Sequence, residues 1–123
     1  LPVFNDFEWD KILHNTSYAQ RTSMLRHGMV LLDQNGYTPG FYSNWNWATH
    51  HYDASALQAE GYDFWYANYF DNSPSRSAKA NHGWPGKTPA LWQYSSRAHI
   101  AGIAGNVDVN HCFKDYSFKA IRR

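Results

Sequence analysis

Only one cysteine, Cys112, stands in the 123 residues, so no internal disulfide can staple the fold. A nucleophilic role would need a positioned base, and His111 is a neighbour in sequence only. Cys112 therefore reads as a semi-buried thiol, as free cysteines commonly are. An excess of charge is also missing: Lys and Arg number 11 against 10 Asp and Glu, a formal net charge of +1. Nucleic-acid binders usually carry a clustered basic face, and Arg122-Arg123 reads as a solvated end. No apolar run approaches the roughly 18 residues of a membrane span, and no signal peptide or lipid-attachment motif is visible. No Gly-x-Ser-x-Gly surrounds Ser43, Ser95 or Ser96, which argues against a serine hydrolase. The histidines are scattered. His50 and His51 diverge on an extended segment, whereas metal sites want spaced ligands with further partners; His14, His27, His82, His99 and His111 read as surface or supporting residues. No metal and no cofactor is expected. Internal repeats, low-complexity stretches and composition shifts are absent too, and the length suits one domain spanning 1–123. The first residue is Leu1 rather than Met, which reads as a processed product or a piece of something longer.

What the chain has in abundance is rings: 6 Trp, 9 Tyr and 7 Phe, or 18% of all residues. Trp and Tyr combine a flat apolar face with a polar edge. Such faces suit sugar rings, whose axial C–H groups form apolar patches. Core packing accounts for most rings taken singly, but the set as a whole leans toward carbohydrate.

The segment LPVFNDFEWD raises a sharper question. Residues 2–8 read as a short strand, with Pro tolerated at its first position. Strand side chains alternate, so Asp6 and Glu8 point to one face near its end. Asn15-Thr16-Ser17 is an N-cap cluster, and Tyr18, Leu25, Met29 and Leu32 form a helical stripe that Asn35-Gly36 closes. This predicts a helix over 17–34, weakened by Gly28. A strand over 37–44, a ring-rich loop over 44–53, a short helix over 53–61 and an aromatic strand over 62–69 follow. Residues 71–87 read as a long loop and 88–95 as another strand. A last strand or short hairpin falls within 99–110, and the tail from Phe113 reads as a final short helix. This order predicts an α/β fold whose early part is built of successive parallel β–α units.

Several pieces in that order resemble one family. They are Asp6-Phe7-Glu8 after an apolar strand, Gly40-Phe41-Tyr42-Ser43, Asp63-Phe64-Trp65-Tyr66-Ala67-Asn68-Tyr69, Leu91-Trp92-Gln93-Tyr94-Ser95, and Gly102-Ile103-Ala104-Gly105-Asn106-Val107-Asp108-Val109-Asn110. Together they resemble the C-terminal portion of a glycoside hydrolase family 25 lysozyme, the muramidase type of bacterial autolysins and phage endolysins. The resemblance runs from residue 1 to about 113. It implies a partial β/α barrel of about five strands, with the site at the C-terminal strand ends. It also implies cleavage of the β-1,4 bond between N-acetylmuramic acid and N-acetylglucosamine in peptidoglycan, by a protein acting on cell walls from outside the cell or released by phage. By position Glu8 matches the family's general acid, Asp6 its partner carboxylate and Asp108 a further acid. Tyr42, Trp65, Tyr69 and Gln93 fall where the family lines its sugar groove; alternation places Trp92 opposite Gln93. The chemistry agrees on its own terms. Glycosidic cleavage needs a protonated acid at the leaving oxygen and negative charge near the oxocarbenium-like centre, and two close carboxylates discourage each other's ionisation.

The chain departs from the family's pattern in lacking the front strand, which carries another acid, and the first β–α units. A half-barrel exposes two sheet edges. The expectation is therefore pairing with the missing half or self-association. A non-catalytic peptidoglycan-binding or structural fragment is the alternative reading.

Overall fold

The computed structural model describes residues 1–117. Strand β1 (Pro2–Asp6) leads through a 3-10 turn (Asp10–His14) into α1 (Tyr18–Gln34). Then come β2 (Thr38–Asn44), α2 (Trp45–His50), α3 (Ala54–Ala59), β3 (Asp63–Ala67), β4 (Leu91–Ala98) and β5 (Val107–Cys112). The strands form one sheet in the order β1-β2-β3-β4-β5. β1 to β4 are parallel, and β5 returns antiparallel to β4. The β–α reading of the sequence and the α/β half-barrel are what the structure has.

Helix α1 begins where Ser17 and Gln20 form a reciprocal capping box, which satisfies two backbone donors at the helix start. Its buried stripe is Arg21, Thr22, Leu25 and Met29. Tyr18, expected in that stripe, is instead 45% exposed. Arg21 takes its place because its guanidinium donates to the carbonyls of Thr16 and His51, so the buried cation is satisfied. Gly28 has a packing reason: a Cβ there would lie 3.0 Å from Asn5 Oδ1 on β1.

The sheet has two dissimilar faces, set by strand alternation. Phe41, Ser43, Phe64, Tyr66 and Trp92 face the helices and are fully buried, packed with Leu25, Met29, Trp47, Tyr52 and Leu57 into one core. Phe4, Asp6, Tyr42, Trp65, Gln93 and Asp108 line a cavity on the other face. Gly40 sits between them for a steric reason. A Cβ at that position would stand 2.4 Å from the Phe4 ring and 2.9 Å from the Asp63 carbonyl.

Five expectations need correction. Residues 44–53 are not all loop: Asn44 accepts from the Trp47 amide, and the turn it caps becomes α2, anchored by the buried Trp47. β1 stops at Asp6, so strand alternation does not orient Glu8. β4 starts at Leu91 rather than residue 88 and extends to Ala98. Cys112 is exposed, because alternation along edge strand β5 puts it on the same open face as Asp108 and Asn110. The expected tail helix does not begin in residues 113–117, and the rest of it lies outside the described residues, as do Arg122 and Arg123.

Candidate active site

The parallel strands β1, β2 and β3 and the antiparallel β5 all bring polar residues to one end of the sheet. Asp6 ends β1, opposite Tyr42 on β2; Tyr42 lies opposite Trp65 on β3. Asp108 lies near the start of β5. Because that strand runs backwards, its start meets the C-terminal ends of the others. A cavity of about 350 Å³ is lined by Phe4, Asp6, Glu8, Tyr42, Trp65, Gln93 and Asp108. A second, of about 390 Å³, is lined by Glu8, Tyr42, Asn44, Trp45, Asn46, Ala67, Asn68 and Tyr69. Glu8 and Tyr42 belong to both, so they stand at the junction of a two-part cleft. All seven residues singled out in the sequence are in its walls.

Segment 6–10 is fastened so that Glu8 projects there. The Phe7 amide donates to the Tyr42 carbonyl at 2.9 Å, and its ring packs edge-on against Trp47 at 5.4 Å. Asp10 accepts from the Trp47 indole at 2.9 Å. Partial loss of water, then the Asp6 carboxylate, raises the Glu8 pKa above its ordinary value; a hydrogen bond from Asn44 works against this, and Asp10 adds to it. Desolvation thus outweighs the carboxylate–carboxylate effect expected from the spacing, although both act in the same direction.

Gln93 is the hub of the opposite wall. Its Oε1 accepts from the hydroxyls of Tyr42 at 2.8 Å and Tyr69 at 2.7 Å, and its Nε2 faces Asp108 Oδ2 at 3.5 Å. Burial, with the nearby acids, pushes both phenols up, so they stay protonated and keep donating. Trp65 donates from its indole nitrogen to Asn110 Oδ1 at 2.7 Å. It also meets Tyr42 and Phe4 edge-on, at 5.1 and 5.5 Å. That fixes its ring as a wall rather than a mobile flap. Trp92 is fully buried and donates to the Asn68 carbonyl at 3.0 Å. It supports the loop after β3 from behind and does not line the cleft.

The three ion pairs among the described residues, Arg26–Glu60, Arg76–Asp71 and Lys114–Asp63, all lie outside this cleft. The ionisable groups among the residues that line it are the carboxyls of Asp6, Glu8 and Asp108 and the phenols of Tyr42 and Tyr69. Among the described residues no group of three or more His, Cys, Asp or Glu is arranged to hold a metal ion, and no helix is long and apolar enough to cross a membrane. Sequence reasoning missed Phe4, Asn44, Trp45, Asn46 and Asn68. The available signal was Asn44-Trp45-Asn46-Trp47, where polar caps alternate with indoles just after a strand.

The sequence profile of the glycosyl hydrolases family 25 matches residues 1–103. The structure of the CTP1L endolysin superposes with a TM-score of 0.63 at 21% identity, covering 96% of this chain and 37% of that one. The catalytic domain of endolysin ply40 from bacteriophage P40 of Listeria monocytogenes gives 0.60 at 24% identity, covering 98% of this chain and 51% of that one. The Cpl-1 endolysin complexed with a peptidoglycan analogue gives 0.56 at 24%, covering 77% and 27%. The chain thus spans 37% and 51% of the first two structures. No curated protein matches it. On the profile match and the shared fold, the chain belongs to the glycosyl hydrolases of family 25.

Proposed function

We propose that the chain is the C-terminal portion of a peptidoglycan hydrolase, an N-acetylmuramidase that acts at the cell wall. It cleaves the β-1,4 bond between N-acetylmuramic acid and N-acetylglucosamine. Glu8 is the general acid, Asp6 its partner carboxylate and Asp108 a further acid. The observation that carries this reading is the place of Glu8. It is a carboxyl with raised proton affinity, at the junction of two cavities, in a cleft lined by acids and, among the described residues, by no cation. A glycan threaded through such a cleft puts one sugar on each side of Glu8. The glycosidic C–O bond breaks as the Glu8 proton passes to the leaving oxygen, Asp6 and Asp108 stabilise the positive charge developing at the anomeric carbon, and a water then adds its oxygen to that carbon and returns a proton to Glu8. Tyr42, Trp65, Tyr69 and Gln93 form the sugar-binding wall. A peptidoglycan analogue is what the Cpl-1 endolysin is complexed with.

The test is release of reducing ends from purified peptidoglycan. The parental chain releases them, and Glu8→Gln lowers the rate at least about 100-fold, the usual scale of general acid catalysis, with an unchanged circular dichroism spectrum. Release by Glu8→Gln at the parental rate overturns the assignment.

Two observations favour a second reading. β1 is an edge strand, and the chain spans only part of the structures it resembles. A non-catalytic glycan-binding fragment would be pulled down by peptidoglycan yet release nothing. Pairing at β1, with the front β–α units or with a second copy, is the arrangement that would complete the barrel.

A further inference from the structure

The Glu8 carboxyl has one hydrogen-bond donor among the described residues, and it is a residue with a second task. Asn44 ends β2 and N-caps α2. Its Oδ1 accepts from the Trp47 backbone N–H at 2.9 Å, and its Nδ2 donates to Glu8 Oε2 at 3.3 Å. We infer that Asn44 is a positioning residue for Glu8, which uses the helix cap to fix a side-chain amide so that it holds one oxygen of the acid and leaves the other to carry the proton. This rests on the reading of Glu8 as the general acid.

The orientation of the amide follows from chemistry. A side-chain amide has an accepting end and a donating end. A backbone N–H can only be met by the accepting end, so the cap turns the NH₂ group away from the helix, toward Glu8. The cap is held in turn from within the core: Trp47, whose amide Asn44 accepts, is buried at 1% exposure and its indole is tied to Asp10. Glu8 therefore stands between two attachments to the same helix, through Asp10 on its own segment and through Asn44 across the cleft.

The consequence is a choice between the two carboxyl oxygens. Oε2 accepts from Asn44, so in the protonated acid the proton resides on Oε1. When Oε1 gives up that proton to a leaving oxygen, the Asn44 bond remains and strengthens, because its acceptor is now charged. The groups that face Glu8 from the surrounding elements are Asp6 at the end of β1, Asp10 on the 3-10 turn, Tyr42 on β2 and Tyr69 after β3; Asp108 of β5 lines the same cavity. All are acids or phenols. The Asn44 amide is thus the counterweight that keeps the conjugate base accessible.

Two substitutions separate this role from the cap. Ser and Asp both cap helices well, but Ser replaces the amide NH₂ with a shorter hydroxyl whose oxygen is committed to the cap, drawing the donor back from Glu8, and Asp replaces it with a like charge. The measurement is a ¹³C NMR titration of the Glu8 side-chain carboxyl in the full chain. The midpoint rises in Asn44→Ser and rises further in Asn44→Asp, while the circular dichroism of both variants stays parental. An unchanged midpoint in Asn44→Ser with α2 intact overturns the inference, even if Asn44→Asp shifts it, since added charge alone explains that. If Asn44→Ser loses α2, Asn44→Thr, which keeps a capping hydroxyl, is read in its place by the same criterion. The titration needs no turnover, so it stands or falls separately from hydrolysis. Where hydrolysis is measured, the alkaline limb of its pH profile moves up in Asn44→Ser, a change that a purely structural cap would not produce.

Discussion

Phe64, Trp65 and Tyr66 are consecutive on β3, yet the sheet gives them opposite work. On the helix-covered face Phe64 stacks on Phe41 at 4.6 Å and meets Trp84 edge-on at 5.1 Å. Tyr66 beside it is fully buried, with its hydroxyl met by Asn68. On the open face Trp65 stands beside Phe4 and Tyr42 with its indole nitrogen tied to Asn110, and its ring borders the acidic cleft. One face uses rings as volume, and the other uses them as walls with fixed polar edges. Aromatic abundance in a sequence thus has two sources, separated here by a single step along a strand.

Breaking the first face gives the largest expected effect. Phe64→Ala leaves a hole in a fully packed core and lowers stability by about 3–5 kcal/mol, read from urea unfolding; a loss below about 1 kcal/mol would mean that the core is not the one described. Trp65→Ala, one residue along, is expected to behave differently. It changes unfolding stability by under about 1 kcal/mol, as substitutions away from packed cores commonly do. It weakens binding of soluble peptidoglycan fragments by roughly tenfold, within the worth of an aromatic contact, as measured by calorimetric titration. Equal stability losses at positions 64 and 65 would erase the distinction between the faces.

The smallest effect concerns pH. Glu8 has a raised folded-state pKa, so its ionised form is less favourable in the folded chain than in the unfolded one. Below its ordinary value of 4.5 both states are protonated and there is no cost. As pH rises through the window from there to the folded-state pKa, the cost appears and then stays constant. Glu8→Gln removes it. The variant should gain stability relative to the parent between about pH 3 and about pH 8, with the sign fixed by the linkage relation. Urea midpoints at the two pH values check this, and a gain confined to acid pH would contradict the surroundings assigned to Glu8.

Much of this was legible in the sequence because it follows from periodicity. The helix that follows the N-cap cluster at 15–17, the parallel β–α order and the opposition of Trp92 to Gln93 all rest on a repeat of 3.6 or 2 residues. The placement of Asp6, Tyr42, Trp65, Tyr69, Gln93 and Asp108 around one cleft followed from matched motifs at strand ends. What was not legible depended on contacts between distant segments. Trp45–His50 is a helix because Asn44 caps it and Trp47 finds the core, and the second of these is a contact with distant segments that the local pattern of caps and indoles does not carry. Tyr18 lost its place in the core to Arg21, whose charge is satisfied by carbonyls at Thr16 and His51. The exposure of Cys112 followed from β5 being an edge strand, which is decided by pairing with β4 and not by residues 107–112.

The reversal of β5 carries a consequence for folding. Asp6 and Asp108 lie near the two termini, on the two edge strands of the sheet, yet they line one cavity. Their meeting is among the most non-local contacts the chain can make, and non-local contacts are the ones reached late in folding. The β4–β5 hairpin is local and can form early, but it holds only one side of the cleft. No partly folded form lacking either terminal strand contains both acids. The cleft is therefore an all-or-none property of the assembled sheet, and protection of the β1 and β5 amides from hydrogen exchange should be lost together with it.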